Sequence, residues 1–499
     1  MQRSTRVKLL LIVAVITLLV RLPFFCRDVV DPDEGTFVLM GQDILDGNLP
    51  YDKLWDLKPP LLFCFFAATI AVFGKSIPAV RFGGFLCALA AAWLIFLCAE
   101  RVGGTRAGFM AALLFIFTST LSESGAGAVS EIVAVVPLSA AMLVLLKDEV
   151  RWKDFFLAGL FISLACLIRL NLCYVALATG LVLPSGRFFR PRAGFWARIC
   201  GYAAGGVVPV LLAFIPYVLA GKERLFSTAM IDAPLSYANS QMSMLASMLK
   251  YMHTTFEPRF FMAYFPVLIC LVCGTPLYLH RIKKIPVLKK SLLATPAVLG
   301  AATAVSILKS GPAFEHYLIQ LLPFAAVICA FFIDCALETR WKPFILALSI
   351  LYMVAPLGRI AHAYEPVLSR AMAGERLVYG PAYEIARYLK KVNPDNKPVY
   401  FMGAQMSEWL LGVKPICKEA TTPSNISREY LMKSLDGPSA TASFELAAIL
   451  RKKPVFIVKP AAVWYLMAHP RASELLSQEL FKNYEPIREI GEYVIFKRF

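Results

Sequence analysis

Long apolar stretches alternate with short polar breaks over the first 358 residues of the chain. Only Arg169-Leu170-Asn171 separates the stretches 155–168 and 172–183. Several stretches are shorter than the roughly 20 residues that a helix perpendicular to the bilayer needs. The pattern predicts a polytopic α-helical membrane protein with about eleven transmembrane helices. Its apolar stretches are 9–25, 80–99, 107–122, 132–146, 155–168, 172–183, 200–220, 260–279, 292–308, 318–336 and 343–358.

The basic residues indicate which side of the membrane each break faces. The N-terminus and every second break together carry 19 Lys and Arg residues, whereas the opposite breaks hold acids. Because basic loops stay in the cytoplasm, we expect a cytoplasmic N-terminus and a first external loop over residues 26–79. Counting Pro60–Phe73 as a crossing would invert every later loop, so this segment is predicted to be a helix along the outer interface.

The composition changes after about Arg359, where the pattern becomes typical of a soluble domain. It predicts a membrane domain over residues 1–374 and an external α/β domain over residues 375–499, since an odd number of crossings precedes it. The helix-like runs are 383–391, 444–451 and 472–481, and the strand-like runs are 398–402, 454–458 and 493–496.

Composition and charge support this interpretation. Hydrophobic residues make up 58% of the chain and charged residues 17%, so much of its surface contacts lipid. The net charge of +17 suggests a nucleic-acid partner at first, but the excess lies in the loops assigned to the cytoplasm. Most of the cysteines lie in apolar stretches, and there is no sign of a disulfide framework, a glycine-rich phosphate loop or a Cys/His metal site.

The first external loop is the main exception to the basic bias. Between Cys26 and Lys58 it holds eight acidic and three basic residues. Asp33 and Glu34 follow a proline at the edge of an apolar segment. A neighbouring carboxylate and a low-dielectric lipid boundary each raise the pKa of a carboxyl group, which suits a general base. Alternatively, the two acids bind a divalent cation, or they are simply solvated loop residues.

The segment Asp56-Leu57-Lys58-Pro59-Pro60 closes this loop. The two prolines fix the direction in which the chain leaves Lys58. An ammonium group held at headgroup level is suited to a phosphate anion, although a lysine that only extends its amine to the interface is equally common.

Three further polar sites lie at the outer ends of predicted helices. Glu131 and Arg169 have apolar neighbours, and ionisable groups in such places are usually functional or paired with each other. Glu123 is a weaker alternative to Glu131. The pair His316-Tyr317 offers hydrogen bonds to a phosphate or a sugar, or is an ordinary interfacial aromatic pair. All of these residues are expected on one face of the membrane.

In this order, the motifs resemble those of the GT-C superfamily, the membrane glycosyltransferases that use polyprenyl-phosphate sugars. The superfamily includes protein O-mannosyltransferases and the lipid A aminoarabinose transferase. The residues that carry the resemblance are Asp33-Glu34, Asp56-x-Lys58-Pro59-Pro60, Ala79-Val80-Arg81, Glu131, Leu167-Ile168-Arg169 and His316-Tyr317 with Pro323.

The resemblance implies an inverting transfer from a polyprenyl-phosphate sugar to a lipid, glycan or protein acceptor at the external face, in a bacterial inner membrane. It implies that Asp33 is the catalytic base or an acid that orients the acceptor nucleophile, and that Glu131 is a second functional acid. Thr36 departs from relatives that carry a basic residue there, which argues against assuming aminoarabinose as the sugar. Metal dependence differs among relatives. The groups implied near the lipid phosphate are Lys58 and Tyr317, with Arg81 and Arg169 as weaker candidates. Asp56 takes the place of an acid that precedes the lysine in relatives.

Two other classes of function compete with this interpretation. A secondary transporter would place its ionisable groups near the middle of the bilayer and would show two related halves, neither of which the sequence indicates. A noncatalytic membrane scaffold offers no reason for the ordered set of acids and lysine.

Overall fold

The computed structural model describes residues 2–122, 124–182, 194–240, 242–254, 257–281, 287–311, 313–339 and 342–499. Most of these residues are helical. In chain order the helices are α1 Gln2–Arg21, α2 Asp33–Leu45, α3 Pro60–Phe73, α4 Ile77–Gly103, α5 Thr105–Leu121, α6 Ser130–Leu145, α7 Trp152–Cys166, α8 Cys173–Val182, α9 Phe195–Leu219, α10 Glu223–Ser227, α11 Ala233–Asn239, α12 Met244–Thr254, α13 Pro258–Arg281, α14 Val287–Ser310, α15 Leu322–Leu337, α16 Lys342–Met372, α17 Pro381–Val392, α18 Gln405–Leu411, α19 Glu429–Asp436, α20 Ala442–Leu450, α21 Trp464–Met467 and α22 Pro470–Asn483.

Each of the eleven apolar stretches coincides with a helix to within a few residues, apart from α16, which continues well beyond its stretch to Met372. Among the described residues, five helical segments are long and apolar enough to cross a membrane, and the chain is therefore an integral membrane protein. The number of eleven crossings stays a prediction, as does the orientation. The basic segments 183–193 and 282–286 and Arg340, on which the orientation partly depends, lie outside the described residues.

Two compact units make up the chain. The first contains Met1–Phe24, Arg81–Ala213 and Gln241–Ser369, and the second contains Phe25–Val80, Phe214–Ser240 and Arg370–Phe499. The second unit thus combines the first predicted loop with the C-terminal segment, which are far apart in sequence.

A small α/β fold forms the C-terminal part of the second unit. Its strands are β1 Val399–Phe401, β2 Phe456–Pro460, β3 Tyr484–Ile490 and β4 Tyr493–Arg498. They form a four-stranded sheet of order β1-β2-β4-β3, with β1 and β2 parallel and the other pairs antiparallel. Apolar residues of the sheet and of α17, such as Leu389, Val458 and Ile495, form its buried core. The small α/β fold predicted from the sequence is confirmed, and its external location stays a prediction.

The first predicted loop is largely helical and packs tightly within the second unit. Helices α2 and α3 approach so closely that a Cβ atom on Gly41 would lie 2.8 Å from the backbone nitrogen of Ala67. A Cβ atom on Gly35 would lie 2.7 Å from the nitrogen of Met406 in α18. The loop is therefore fixed on the C-terminal fold by backbone contact as well as by side chains.

Candidate active site

The first turn of α2 presents the two acids singled out from the sequence. The backbone N–H of Asp33 donates to Asp31 Oδ1 at 2.8 Å, and the N–H of Asp31 donates to Glu34 Oε2 at 3.3 Å. The two bonds hold the backbone on both sides of Pro32, and the positive end of the helix dipole stabilises the acids. Glu34 is fully buried, whereas the Asp33 side chain is 46% exposed. Of the two acids, Asp33 is therefore the one accessible to a substrate.

Lys58 lies beside Asp33. Its Nζ is 3.6 Å from Asp33 Oδ2 and 5.9 Å from the centre of the Phe37 ring. The lysine side chain is 22% exposed, so the ammonium group is partly withdrawn from water yet reachable. The arrangement brings a carboxylate and an ammonium group together at one accessible point.

The backbone of Lys58 is held on both sides. Its N–H donates to Asp56 Oδ2 at 3.2 Å, and its carbonyl oxygen accepts from the Tyr51 hydroxyl at 2.7 Å. Tyr51 is fully buried and has a φ of 72°, a left-handed conformation that costs a non-glycine residue about 1–3 kcal/mol. Pro59 and Pro60 then begin α3. Hydrogen bonds thus hold the backbone that carries the ammonium group.

Asp56 connects this loop to the C-terminal segment. Its Oδ1 accepts hydrogen bonds from the Thr421 hydroxyl at 2.9 Å and from Asn425 Nδ2 at 3.5 Å. Burial raises the pKa of Asp56, the Lys58 charge lowers it and the nearby Asp33 raises it again. Asp56 acts here as a buried acceptor that positions the lysine, since its oxygens are occupied by protein donors.

Sequence reasoning missed the C-terminal residues of this site. Thr421 and Asn425 bind a carboxylate that precedes them by more than 360 residues, and Arg428 and Tyr465 lie near the same acids. Polar residues in a loop of a soluble domain give no signal of such a partner.

The first unit contains a separate buried polar cluster around Arg169. The guanidinium group forms a close ion pair through Nη1 with Glu131 Oε1, and Nη1 also donates to Ser130 Oγ at 2.8 Å. The side chains of Arg169 and Glu131 are 5% and 1% exposed. Of the alternatives for Arg169, pairing with Glu131 is the one that the structure contains.

The predicted pair His316-Tyr317 joins the same cluster. His316 Nε2 lies 3.7 Å from Glu131 Oε1, and the guanidinium carbon of Arg169 lies 4.3 Å from the centre of the Tyr317 ring. Asn171 accepts from Arg169 Nε at 3.3 Å. Three segments that are distant in sequence, which carry Glu131, Arg169 and His316, thus meet at one buried ion pair.

The remaining candidates are placed without a defined role. Arg81 is buried near the start of α4. Glu123 lies outside the described residues. In the described part of the chain, three side chains have possible metal-ligand atoms within 4.8 Å of one another: Glu419, Asp436 and Glu445. Asp33 and Glu34 do not belong to this group. A cation at Asp33 and Glu34 stays a prediction.

Comparison with known proteins gives a family match for part of the chain and a similar fold for almost all of it. Residues 57–219 match the family model described as dolichyl-phosphate-mannose-protein mannosyltransferase. No curated protein sequence matches significantly.

Two solved structures are similar over almost the whole chain. They are ArnT from Cupriavidus metallidurans bound to undecaprenyl phosphate and the same protein in the apo state. Each has a TM-score of 0.62 at 13% identity and covers 99% of this chain, with 97% and 98% of the ArnT chain covered. The resemblance stated from the sequence is confirmed by the family match of residues 57–219, and the chain as a whole shares the fold of ArnT.

Proposed function

We propose that the protein is an inverting membrane glycosyltransferase that moves a sugar from a polyprenyl-phosphate donor to a lipid, glycan or protein acceptor. The observation that carries this proposal is the rigidly held Lys58 beside the accessible Asp33. The family match and the ArnT-like fold support it. Transfer at the external face of a bacterial inner membrane, with the N-terminus in the cytoplasm, belongs to the same proposal.

Asp33 is assigned the role of base for the acceptor. In the reaction an acceptor hydroxyl oxygen attacks the anomeric carbon, and the bond from that carbon to the phosphate oxygen breaks. The electron pair leaves with the polyprenyl phosphate, and the hydroxyl proton passes to Asp33. Glu34 keeps the helix start in place, because its carboxylate caps the turn that carries Asp33.

Lys58 is assigned to the lipid phosphate. A positive charge fixed where negative charge develops lowers the barrier without reorganising during the reaction. The ammonium group pairs with Asp33 in the structure, so a donor phosphate would take over that charge and leave Asp33 available to the acceptor. Asp56 and Tyr51 act through Lys58 and are positioning residues.

Arg169, Glu131, His316 and Tyr317 are proposed to contribute further polar groups for substrate. Because Glu131 is buried against Arg169, its first task is to hold that guanidinium group. Arg81 is proposed only as an additional cation.

Binding of undecaprenyl phosphate to the purified full-length protein tests the donor assignment. We expect Lys58→Met to weaken binding by about tenfold or more, since a charge-assisted contact to phosphate is lost. Lys53→Met is the matched control, because Lys53 is an exposed lysine of the same loop. Equal binding by the Lys58→Met variant and the parent protein would contradict the assignment.

A further inference from the structure

Arg428 is a half-buried cation in the second unit that the donor chemistry does not use. It directly precedes α19, and its guanidinium carbon lies 5.7 Å from the centre of the Tyr237 ring. The Tyr237 and Tyr430 rings are 6.5 Å apart, centre to centre. Tyrosine rings from two distant segments of the second unit therefore lie beside one guanidinium group.

Within the described part of the chain, the protein does not use the hydrogen-bonding capacity of this guanidinium group. Over the residues that the structure describes, the Arg428 side chain donates no hydrogen bond and forms no ion pair. Asp56 is a neighbour, but its oxygens already accept from Lys58, Thr421 and Asn425. An arginine offers five donors in a planar fork that fits a carboxylate or a phosphate.

Arg428 interacts electrostatically with Asp56, one of the acids of the candidate active site. Burial lowers the pKa of Arg428, but Tyr237, Tyr430 and Asp56 outweigh this effect and raise it. Burial raises the pKa of Tyr465, on which Arg428 and Asp33 act in opposite directions. Tyr465 is therefore close to both Arg428 and the proposed base.

Aromatic rings beside a guanidinium group suit an anionic sugar. The apolar face of a sugar ring packs on tyrosine rings, while the hydroxyl groups of the tyrosines reach its polar edge. The planar fork of the arginine selects a substituent with two or more negatively charged oxygens. A neutral acceptor would leave that fork unpaired, which disfavours its binding.

We propose that Arg428, Tyr237, Tyr430 and Tyr465 form the acceptor subsite and bind a sugar that carries a phosphate or a carboxylate group. This inference rests on the proposed function and extends it by naming the class of acceptor. The anion on Arg428 holds the acceptor so that one of its hydroxyl groups faces Asp33. The C-terminal fold thereby selects the acceptor, while the first loop handles the donor.

Binding of simple glycosides to the purified full-length protein in nanodiscs tests the subsite. The probes are methyl α-D-glucopyranoside 6-phosphate, methyl α-D-glucuronide and uncharged methyl α-D-glucopyranoside, with Kd values measured by saturation-transfer NMR. We expect at least one charged glycoside to bind about tenfold more tightly than the uncharged one. Arg428→Gln should abolish this difference, and Arg428→Lys should keep part of it. Arg451→Gln, which changes an exposed arginine of the same domain, should keep all of it.

Three results would overturn the subsite. These are equal binding of charged and uncharged glycosides, no binding of any of them, and full binding of the charged ones by the Arg428→Gln variant. A further contrary result is loss of undecaprenyl phosphate binding in that variant with glycoside binding intact, which would assign Arg428 to the donor. Undecaprenyl phosphate binding by the parent protein reports separately on the proposed function, since its absence would refute the donor assignment itself.

Discussion

Neighbouring acids in the first loop have different surroundings and therefore different tasks. Asp33 is accessible beside Lys58, whereas Glu34 is buried and caps the helix start. The sequence identified both acids together with Asp56 and Lys58, because charged residues next to prolines and apolar segments are unusual. It could not separate their roles, since burial and hydrogen bonding depend on the C-terminal segment. For the same reason it missed Thr421 and Arg428.

The buried pair of Glu131 and Arg169 is expected to be strongly non-additive. Glu131→Gln leaves a guanidinium group buried without its counter-charge, which typically costs about 3–5 kcal/mol. The double variant Glu131→Gln, Arg169→Gln should be less destabilised than the sum of the single changes. Thermal unfolding of the detergent-solubilised protein measures this, with the exposed Arg106→Gln as the control. Additive effects would show that the two side chains are not coupled.

Glu408 makes stability depend on pH in a predictable direction. Burial raises the pKa of Glu408 to about 8, above the unfolded value of about 4.3. Between these values the folded chain keeps a proton that the unfolded chain has released, so stability falls as the pH rises through this window. Glu408→Gln removes this titration.

We therefore expect the Glu408→Gln variant to be more stable than the parent protein at pH 8, by roughly 2–4 kcal/mol. The advantage should shrink as the pH falls to 5. Unfolding temperatures across this range measure it, and Glu485→Gln serves as an exposed control. An advantage that does not vary with pH would refute the explanation.

At the scale of elements, the apolar pattern located the membrane helices well. Long runs of apolar residues dominate local structure, so α4 and α14 coincide closely with predicted stretches. The pattern missed α2, whose apolar and polar residues follow no clear period and whose burial comes from α3 and α18. It also missed β3, where Pro486 and several charged residues hide a strand that only pairing with β4 defines.

The contact of the Asp28 carboxylate with the backbone at Gly380 and Ala382 should be important for docking the first loop on the C-terminal fold. Asp28 Oδ2 accepts from the N–H of Ala382 at 2.6 Å, and a Cβ atom on Gly380 would lie 2.1 Å from Asp28 Oδ1. Gly380→Ala should therefore destabilise the protein both through its φ of 120° and through this clash.

Gly437→Ala is a matched control for that change. Gly437 has a φ of 97° and a ψ of 173°, close to the 120° and 164° of Gly380, but a Cβ atom there would meet nothing within 4 Å. We expect Gly437→Ala to cost about 1–3 kcal/mol and Gly380→Ala clearly more. Equal unfolding temperatures for the two variants would show that the contact with Asp28 does not matter.

At the scale of the whole molecule, the fold class and the membrane location followed from the sequence, because they depend on apolar content and its period. The sequence did not reveal which segments form the second unit, since its three segments are separated by long parts of the first unit. The sequence pattern predicted a separate domain over residues 375–499. In the structure, residues 25–80 and 214–240 form one compact unit with the C-terminal segment. Such a unit depends on contacts between distant segments, which no local pattern reveals.

The proposed sugar transfer from a lipid-linked donor depends most directly on Asp33. Mass spectrometry of surface glycolipids and glycoproteins, in cells lacking this protein and in cells complemented with it, tests this dependence for any sugar and any acceptor. We predict that a defined sugar disappears from one glycoconjugate, returns with the parent protein or with the Lys53→Met variant, and does not return with a stably inserted Asp33→Asn variant. An unchanged glycoconjugate profile, or full restoration by the Asp33→Asn variant, would contradict the proposed transfer.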